Sequence, residues 1–344
     1  MNPDQSTQCD RSGTTVPSTA PGPPAMVVLG GNAFVGDDRL LTMECQFRFA
    51  ECILHKLTPL FADGRPVVIT HGNGPQVGHM LTRVAAAADR AYGLPLGVCV
   101  AETEGELGYV LQQTLHNVLV EADMPRPVVS LLTQVVVDES DPAFNRPVKA
   151  VGPVCDALQK TQLEAQGICV REDTGKGPRR MVPSPFPLEI IETDIIRDLL
   201  AAGVVVVAAG GGGIPVTLSG GLLKGVDAVI DKDLASALLG KQLGALDMIT
   251  ITDVPYAYQD FLTTSQTPVK TIDVPTAKQL IAAQHFAAGS MLPKMQAALQ
   301  FCVRPGTRAV ICSPENLEEA LHGDSGTVIT GPEDPSDSTT RQAQ

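Results

Sequence analysis

Three apolar runs in this chain each end in a glycine-rich turn, and that repetition limits the fold more than any other feature. Val204-Val205-Val206-Val207 leads through Ala208-Ala209 into Gly210-Gly211-Gly212-Gly213-Ile214-Pro215. Val27-Val28-Leu29 leads into Gly30-Gly31-Asn32, and Val67-Val68-Ile69-Thr70 into His71-Gly72-Asn73-Gly74-Pro75-Gln76. A short apolar run bounded by glycine reads as a buried parallel strand. An open α/β sheet holds its ligands at the carboxyl ends of such strands. Glycine lets bare backbone approach a ligand at positive φ, so the run of glycines from 210 to 213 predicts exposed N–H groups suited to a small anion. Three junctions of one design predict one shared phosphate or anion site.

Between the junctions, helical and strand patterns alternate. Leu40, Met43, Phe47, Ala50, Leu54, Leu57 and Phe61 form one apolar helix face, closed by Asp63-Gly64. Further helices are predicted over 76–92, 104–122, 234–243, 276–283, 293–303 and 315–321. Strands are predicted over 66–70, 128–137, 204–209, 248–252 and 309–312. Such alternation implies a mainly parallel sheet covered by helices on both faces. Residues 138–187 break the rhythm with many prolines, the glycines of Asp173-Thr174-Gly175-Lys176-Gly177 and little periodicity, and so predict an inserted lid or small subdomain. Residues 1–25, rich in Ser, Thr, Pro and Gly, read as a disordered tail rather than a secretory signal, and 332–344 read the same way.

Composition excludes several classes of function. A net charge of −13 argues against nucleic acid, which needs a basic footprint. No apolar run approaches the length of a membrane span. The eight cysteines include no CxxC or CxxH pair, so neither zinc nor a disulfide framework is indicated. They read as reduced, mostly buried thiols of a cytoplasmic protein.

Two later segments supply charge. Lys232 stands between Asp231 and Asp233 at a helix start, and Lys294 falls in the first turn of the helix that follows Ser290-Met291-Leu292-Pro293. A helix amino end favours phosphate, and a lysine there adds a mobile full charge that can follow a phosphoryl group in transfer. Glycine amides, two lysines and orienting aspartates are a kit for phosphoryl transfer by positioning and electrostatics. His71 reads as a satisfied loop histidine rather than a general base. The segment Gly72-Asn73-Gly74-Pro75-Gln76-Val77-Gly78 departs from the dinucleotide fingerprint, and the GxxxxGK[ST] pattern is absent, so a nucleotide must be held another way.

Taken together, the motifs closely resemble the carbamate kinases of the amino-acid kinase superfamily. The resemblance rests on Val28 to Ala33, Ile69 to Gly78, Gly210 to Val216, Ala228 to Ala235 and Gly289 to Lys294. Thr133-Gln134-Val135, Asp141-Pro142-Ala143-Phe144, Lys149 with Gly152-Pro153, and Arg179 to Pro185 add to it, in order from about residue 26 to 331. It implies a three-layer αβα sandwich with an open, mainly parallel sheet of about eight strands plus a small inserted lid. Residues 26–203 would hold carbamate, with the lid at 138–187, and residues 204–331 the nucleotide. The implied reaction is reversible phosphoryl transfer between carbamoyl phosphate and ADP, giving carbamate and ATP, with Mg2+, in a cytoplasmic homodimer. The implied setting is arginine, agmatine or ureide catabolism.

Carried over by position, Gly30, Gly31 and Asn32, with Gly72, Asn73 and Gly74, would surround the carbamate and the transferred group. Gly211 and Gly212 would lie between the two substrates. Lys232 and Lys294 would stabilise charge, Asp233 would orient them, and Lys149 would close over the site from the lid. Asp231, Thr252, Asp253, Val254, Tyr256, Ala257 and Met291 would border the nucleotide. The resemblance assigns no metal ligands. Where the family usually shows Ser-Gln-Gly, this chain has Thr103-Glu104-Gly105. Glu104 is therefore expected either to weaken anion affinity from the carbamate end, or to face solvent or the dimer interface. The alternatives are another amino-acid kinase acting on an acyl carboxylate, and a catalytically silent nucleotide-binding relative.

Overall fold

A computed structural model describes residues 22–30, 42–173, 177–287 and 289–333. The chain enters through β1 (Ala25–Leu29), and α1 (Met43–Lys56) carries it to β2 (Val67–His71). Helices α2 (Gly74–Ala86) and α3 (Leu96–Glu121) lead to β3 (Val128–Ser130) and β4 (Gln134–Val137). Next come β5 (Lys149–Val151), α4 (Ala157–Ala165), β6 (Val170–Asp173), β7 (Gly177–Val182) and β8 (Pro187–Ile190). Helix α5 (Thr193–Ala201) returns the chain to β9 (Val205–Val207), which the hairpin of β10 (Ile214–Ser219) and β11 (Leu222–Gly225) follows. Helix α6 (Lys232–Leu243) then leads to β12 (Asp247–Ile251), β13 (Ala257–Gln259), β14 (Thr267–Val269) and β15 (Thr271–Asp273). The last elements are α7 (Val274–Ala282), α8 (Met291–Phe301), β16 (Arg308–Cys312), α9 (Leu317–His322) and β17 (Thr327–Thr330).

The main sheet has eight strands in the order β15-β17-β16-β12-β1-β2-β9-β3. Every neighbouring pair is parallel except β16–β17. Successive side chains of β1 point to opposite faces, as the pleat requires. Met26 and Val28 join a core with Leu239 of α6 and Phe301 of α8, while Val27 and Leu29 join one with Leu54 of α1 and Leu111 of α3. Both faces are therefore covered, which is why the central strands are apolar throughout rather than alternating. This is the expected three-layer α/β sandwich. Strand β9 pairs between β2 and β3, so no break in the sheet marks the division expected near residue 204.

The structure departs from the sequence reading at several places. The strand predicted over 128–137 is two strands in different sheets: β3 in the main sheet, and β4 in a smaller one ordered β11-β10-β4-β8. Ser130, Thr133 and Gln134 interrupt its apolar run, but no glycine or proline marks the bend at Leu131-Leu132-Thr133. Helix α3 begins at Leu96 instead of 104, its first amide accepted by the distant Asp227 Oδ1 at 3.0 Å. Helix α2 ends at Ala86 instead of 92, because the alanines beyond it offer no apolar face to bury. Residues 138–187 contain an antiparallel sheet β5-β7-β6 and α4, whose amino end carries a capping box of Asp156 and Gln159. The strands there are too short and half-exposed to show a period. Ala25, assigned to the tail, opens β1 and is fully buried, while residues 1–21 and 334–344 lie outside the described residues.

Candidate functional site

The three glycine junctions emerge side by side. Leu29 is in register with His71 on one side and Ile251 on the other, and Ile69 with Val207. Each loop leaves the sheet at the same level: Gly30 N–H donates to Ile251 O at 3.0 Å, Gly72 N–H to Leu29 O at 3.1 Å and Ala208 N–H to Ile69 O at 3.0 Å. Gly31 and Asn32 lie outside the described residues. Gly72 and Asn73 follow β2, and Gly74 opens α2.

The charged cluster lies where α6 and α8 begin. Asp231 caps α6, its Oδ1 accepting from the N–H groups of Asp233 at 3.0 Å and Leu234 at 3.4 Å. Inside the first turn, Asp233 Oδ1 accepts from Lys232 Nζ at 2.7 Å, and its Oδ2 from Lys294 Nζ of α8 at 3.1 Å. Asp233 and Lys294 are only 5% and 9% exposed. Burial alone would raise the Asp233 carboxyl, but the two ammonium groups outweigh it and hold it well below the ordinary range. Burial lowers Lys232, and the charge of Lys294 pushes it the same way, against the pull of Asp233. For Lys294, desolvation opposes the charge but Asp233 prevails and raises it. Two lysines on one carboxylate leave a net positive charge in a dehydrated pocket, where it acts strongly on an anion. The isolated reading of either lysine as a solvated surface charge does not hold.

The inserted segment 138–187 reaches the same place. Lys149 Nζ at the start of β5 lies 3.3 Å from Asp231 Oδ2 and 3.2 Å from Ile230 O. Lys149, Asp231, Lys232, Asp233 and Lys294 are thus brought together from β5, α6 and α8.

The Gly210–Gly212 turn is more closed than a run of bare glycines suggests. Gly210 N–H donates to Glu104 Oε1 at 2.9 Å, Gly212 N–H to Ala209 O at 3.1 Å and Gly213 N–H to Gly210 O at 3.0 Å. Of these amides, Gly211 N–H alone meets no acceptor among the described residues. Gly211 has φ 66°, and a Cβ there would lie 2.1 Å from Asn73 Oδ1, so only glycine permits this contact between the two loops. Asn73 Nδ2 donates to Thr103 Oγ1 at 3.0 Å.

Glu104 corrects the second of the expectations set for it. It faces neither solvent nor an interface, being 1% exposed, and its carboxyl oxygens take the N–H groups of Gly210 and Thr133. Burial pushes its carboxyl up to about 8, against the hydrogen bonds it accepts. His71 ends β2 instead of lying in a loop and is fully buried. Burial pulls its imidazole down to about 4, so the ring is neutral. Its Nδ1 lies 3.3 Å from Gly72 O, and its Nε2 has no partner among the described residues. Sequence reasoning also missed the buried Thr70–Ser236 hydroxyl pair, 2.7 Å apart, which ties β2 to α6. No residue type or spacing distinguishes such a pair from other core hydroxyls.

The residues expected around the nucleotide are more dispersed. Thr252, Asp253 and Val254 follow β12, next to the Gly30 junction, and Met291 is the first residue of α8. Tyr256 pairs its hydroxyl with Ser325 Oγ at 3.1 Å, and Ala257 N–H donates to Thr327 Oγ1 at 2.9 Å. These contacts tie Tyr256 and Ala257 to the β17 side and not to the lysine cluster.

A kinase of small anionic substrates is the class that this fold and site define, and comparison with known proteins agrees. The model of the amino acid kinase family matches residues 26–313. A carbamate kinase of Lentilactobacillus hilgardii is 39% identical over 89% of this chain and 96% of its own length. A carbamate kinase-like protein of Escherichia coli is 41% identical over 88% of this chain and 98% of its own. The solved carbamate kinase from Giardia lamblia bound to AMP-PNP superposes with a TM-score of 0.85 at 36% identity, covering 91% of this chain and all of that one. The chain belongs to the carbamate kinases of the amino acid kinase family.

Proposed function

We propose that the protein transfers a phosphoryl group reversibly between carbamoyl phosphate and ADP, giving carbamate and ATP. The observation that carries this is the Lys232–Asp233–Lys294 cluster, set beside glycine loops at the carboxyl ends of parallel strands. An oxygen of the ADP β-phosphate attacks the phosphorus, and the bond to the carbamate oxygen breaks with its electron pair. Reactants and products are all anions, so the chain need supply no proton. It must collect negative charge in line and stabilise it as it spreads over the transferring group.

Gly30, Gly31, Asn32, Gly72, Asn73 and Gly74 would cradle the carbamate end, and Gly211 and Gly212 the group in transfer. Lys232 and Lys294 would bind that group, held by Asp233, while Lys149 would close from the lid. Asp231, Thr252, Asp253, Val254, Tyr256, Ala257 and Met291 would border the nucleotide. Both oxygens of Asp231 and of Asp233 already accept hydrogen bonds, and the described residues include no cluster of His, Cys, Asp and Glu suited to a metal. Mg2+ would therefore enter on the nucleotide phosphates and neutralise part of their charge, as such ions commonly do.

We read the protein as a cytoplasmic homodimer serving arginine, agmatine or ureide breakdown. No described helix is long and apolar enough to cross a membrane. The test is coupled ATP production from carbamoyl phosphate and ADP. Nucleotide binding without turnover in either direction would instead indicate a silent relative, and turnover restricted to an acyl phosphate another amino-acid kinase.

A further inference from the structure

A buried carboxyl group without a basic partner needs a reason, and Glu104 has none of the usual ones. Among the described residues no Lys, Arg or His pairs with it, and the nearby Glu192 raises the cost of its charge. What it does have is two backbone donors, Gly210 N–H on Oε1 at 2.9 Å and Thr133 N–H on Oε2 at 3.3 Å. Each of its two oxygens accepts one of these converging N–H groups, a capacity the carboxyl keeps with or without its proton.

The donors belong to segments far apart in the chain and adjacent in the site. Thr133 Oγ1 in turn accepts the Ala209 N–H at 2.9 Å. Ala209 is held at φ 50°, a left-handed backbone that an alanine adopts only when its surroundings impose it. The space beside the next residue is filled from the same side: a Cβ on Gly210 would lie 2.4 Å from His71 Nε2 and 2.9 Å from Glu104 Cγ. One turn of α3 thus holds both loops, Thr103 through Asn73 and Glu104 through Gly210. With the amides of Ala209 and Gly210 fixed in this way, Gly211 N–H is the one left over.

We infer that Glu104 and Thr133 are positioning residues: their acceptors fix the left-handed Ala209 and the Gly210 amide that follows it, and so keep the Gly211 N–H for the phosphoryl group in transfer. The inference rests on the phosphotransfer reading above. Neither residue touches substrate. An amide directed at a transferring group matters to the rate only while it is held in place, and small displacements there are costly.

The test compares Glu104→Met, which keeps the bulk and removes the acceptors, with Glu104→Gln, whose amide oxygen still accepts the Gly210 N–H. Glu104→Met should lower kcat about tenfold or more with KM for ADP within about twofold, and Glu104→Gln should restore kcat to within about threefold of the unchanged protein. In parallel, hydrogen exchange at the Ala209 and Gly210 amides should be about tenfold or more faster in Glu104→Met and unchanged in Glu104→Gln. Should Glu104→Met fail to fold, Thr133→Val removes the Ala209 acceptor from another element and should show the same split. The inference is overturned if the substituted protein keeps its kcat, if Glu104→Gln is as impaired as Glu104→Met, or if ADP affinity falls along with kcat. An unchanged protein that makes no ATP contradicts the functional reading alone; the exchange comparison then decides this one, and equal protection in Glu104→Met overturns it.

Discussion

Lys232 and Lys294 approach a single carboxylate from two helices, their Nζ atoms 2.7 and 3.1 Å from opposite oxygens of Asp233. Each lysine is therefore fixed in direction by the same carboxylate, and on the proposed reading the pair would offer one positive field to the phosphates. A charge that meets the transition state more strongly than the ground state acts on kcat. Lys232→Ala and Lys294→Ala should each lower kcat about a hundredfold or more while leaving nucleotide affinity within about threefold. Steady-state kinetics with a separate binding titration checks this; a near-normal kcat in either variant would reduce that lysine to a structural charge.

Asp233 should matter to the fold as well as to the rate. Asp233 is 5% exposed and, among the described residues, is the one carboxylate that pairs with both ammonium groups. Asp233→Asn leaves both ammonium groups buried beside a neutral amide, at a cost of about 3–5 kcal/mol. Urea unfolding should show a lower midpoint, and an unchanged midpoint would mean that water already screens the pair.

Residues 138–187 should behave as a moving lid. The contact of Lys149 with Asp231 is a half-buried ion pair, of a kind that contributes little to stability and would exchange readily for another anion. Protease cutting within the segment should slow when carbamoyl phosphate and nucleotide are both bound. Cutting at the same rate with and without ligands would make it a fixed insertion.

Glu104 gives a stability signature whose sign follows from its burial. Its carboxyl is raised from 4.5 to about 8 in the fold. The stability tied to its proton is fully present below the unfolded value and is lost as pH rises through the folded one, by an amount on the order of a few kcal/mol. Glu104→Gln carries no such proton. Its melting temperature relative to the unchanged protein should rise between about pH 5 and about pH 9. A constant difference across that range would mean that the carboxylate is paired or hydrated in solution.

Much of this was legible in the chain, for physical reasons. Val204–Val207 and Val67–Thr70 could only be buried strands, and the glycines after them fixed where a ligand would sit. Lys232 and Lys294 stood out because each opens a helix. What stayed hidden was tertiary. The break between β3 and β4 carries no glycine or proline, and the strands within 138–187 are too short to show a period. The closing of the Gly210 turn by Glu104 depends on residues more than a hundred positions apart, at a separation of 106. A surface expectation was natural for that glutamate because carboxylates are seldom fully buried unless paired.

The most direct measurement is to follow the phosphorus of carbamoyl phosphate by 31P NMR with purified protein, ADP and Mg2+. The account predicts that its resonance is lost as the γ-phosphate of ATP appears in equal amount, and that acetyl phosphate under the same conditions gives little ATP. Loss of carbamoyl phosphate to inorganic phosphate alone, or no ATP while ADP is bound, would contradict it.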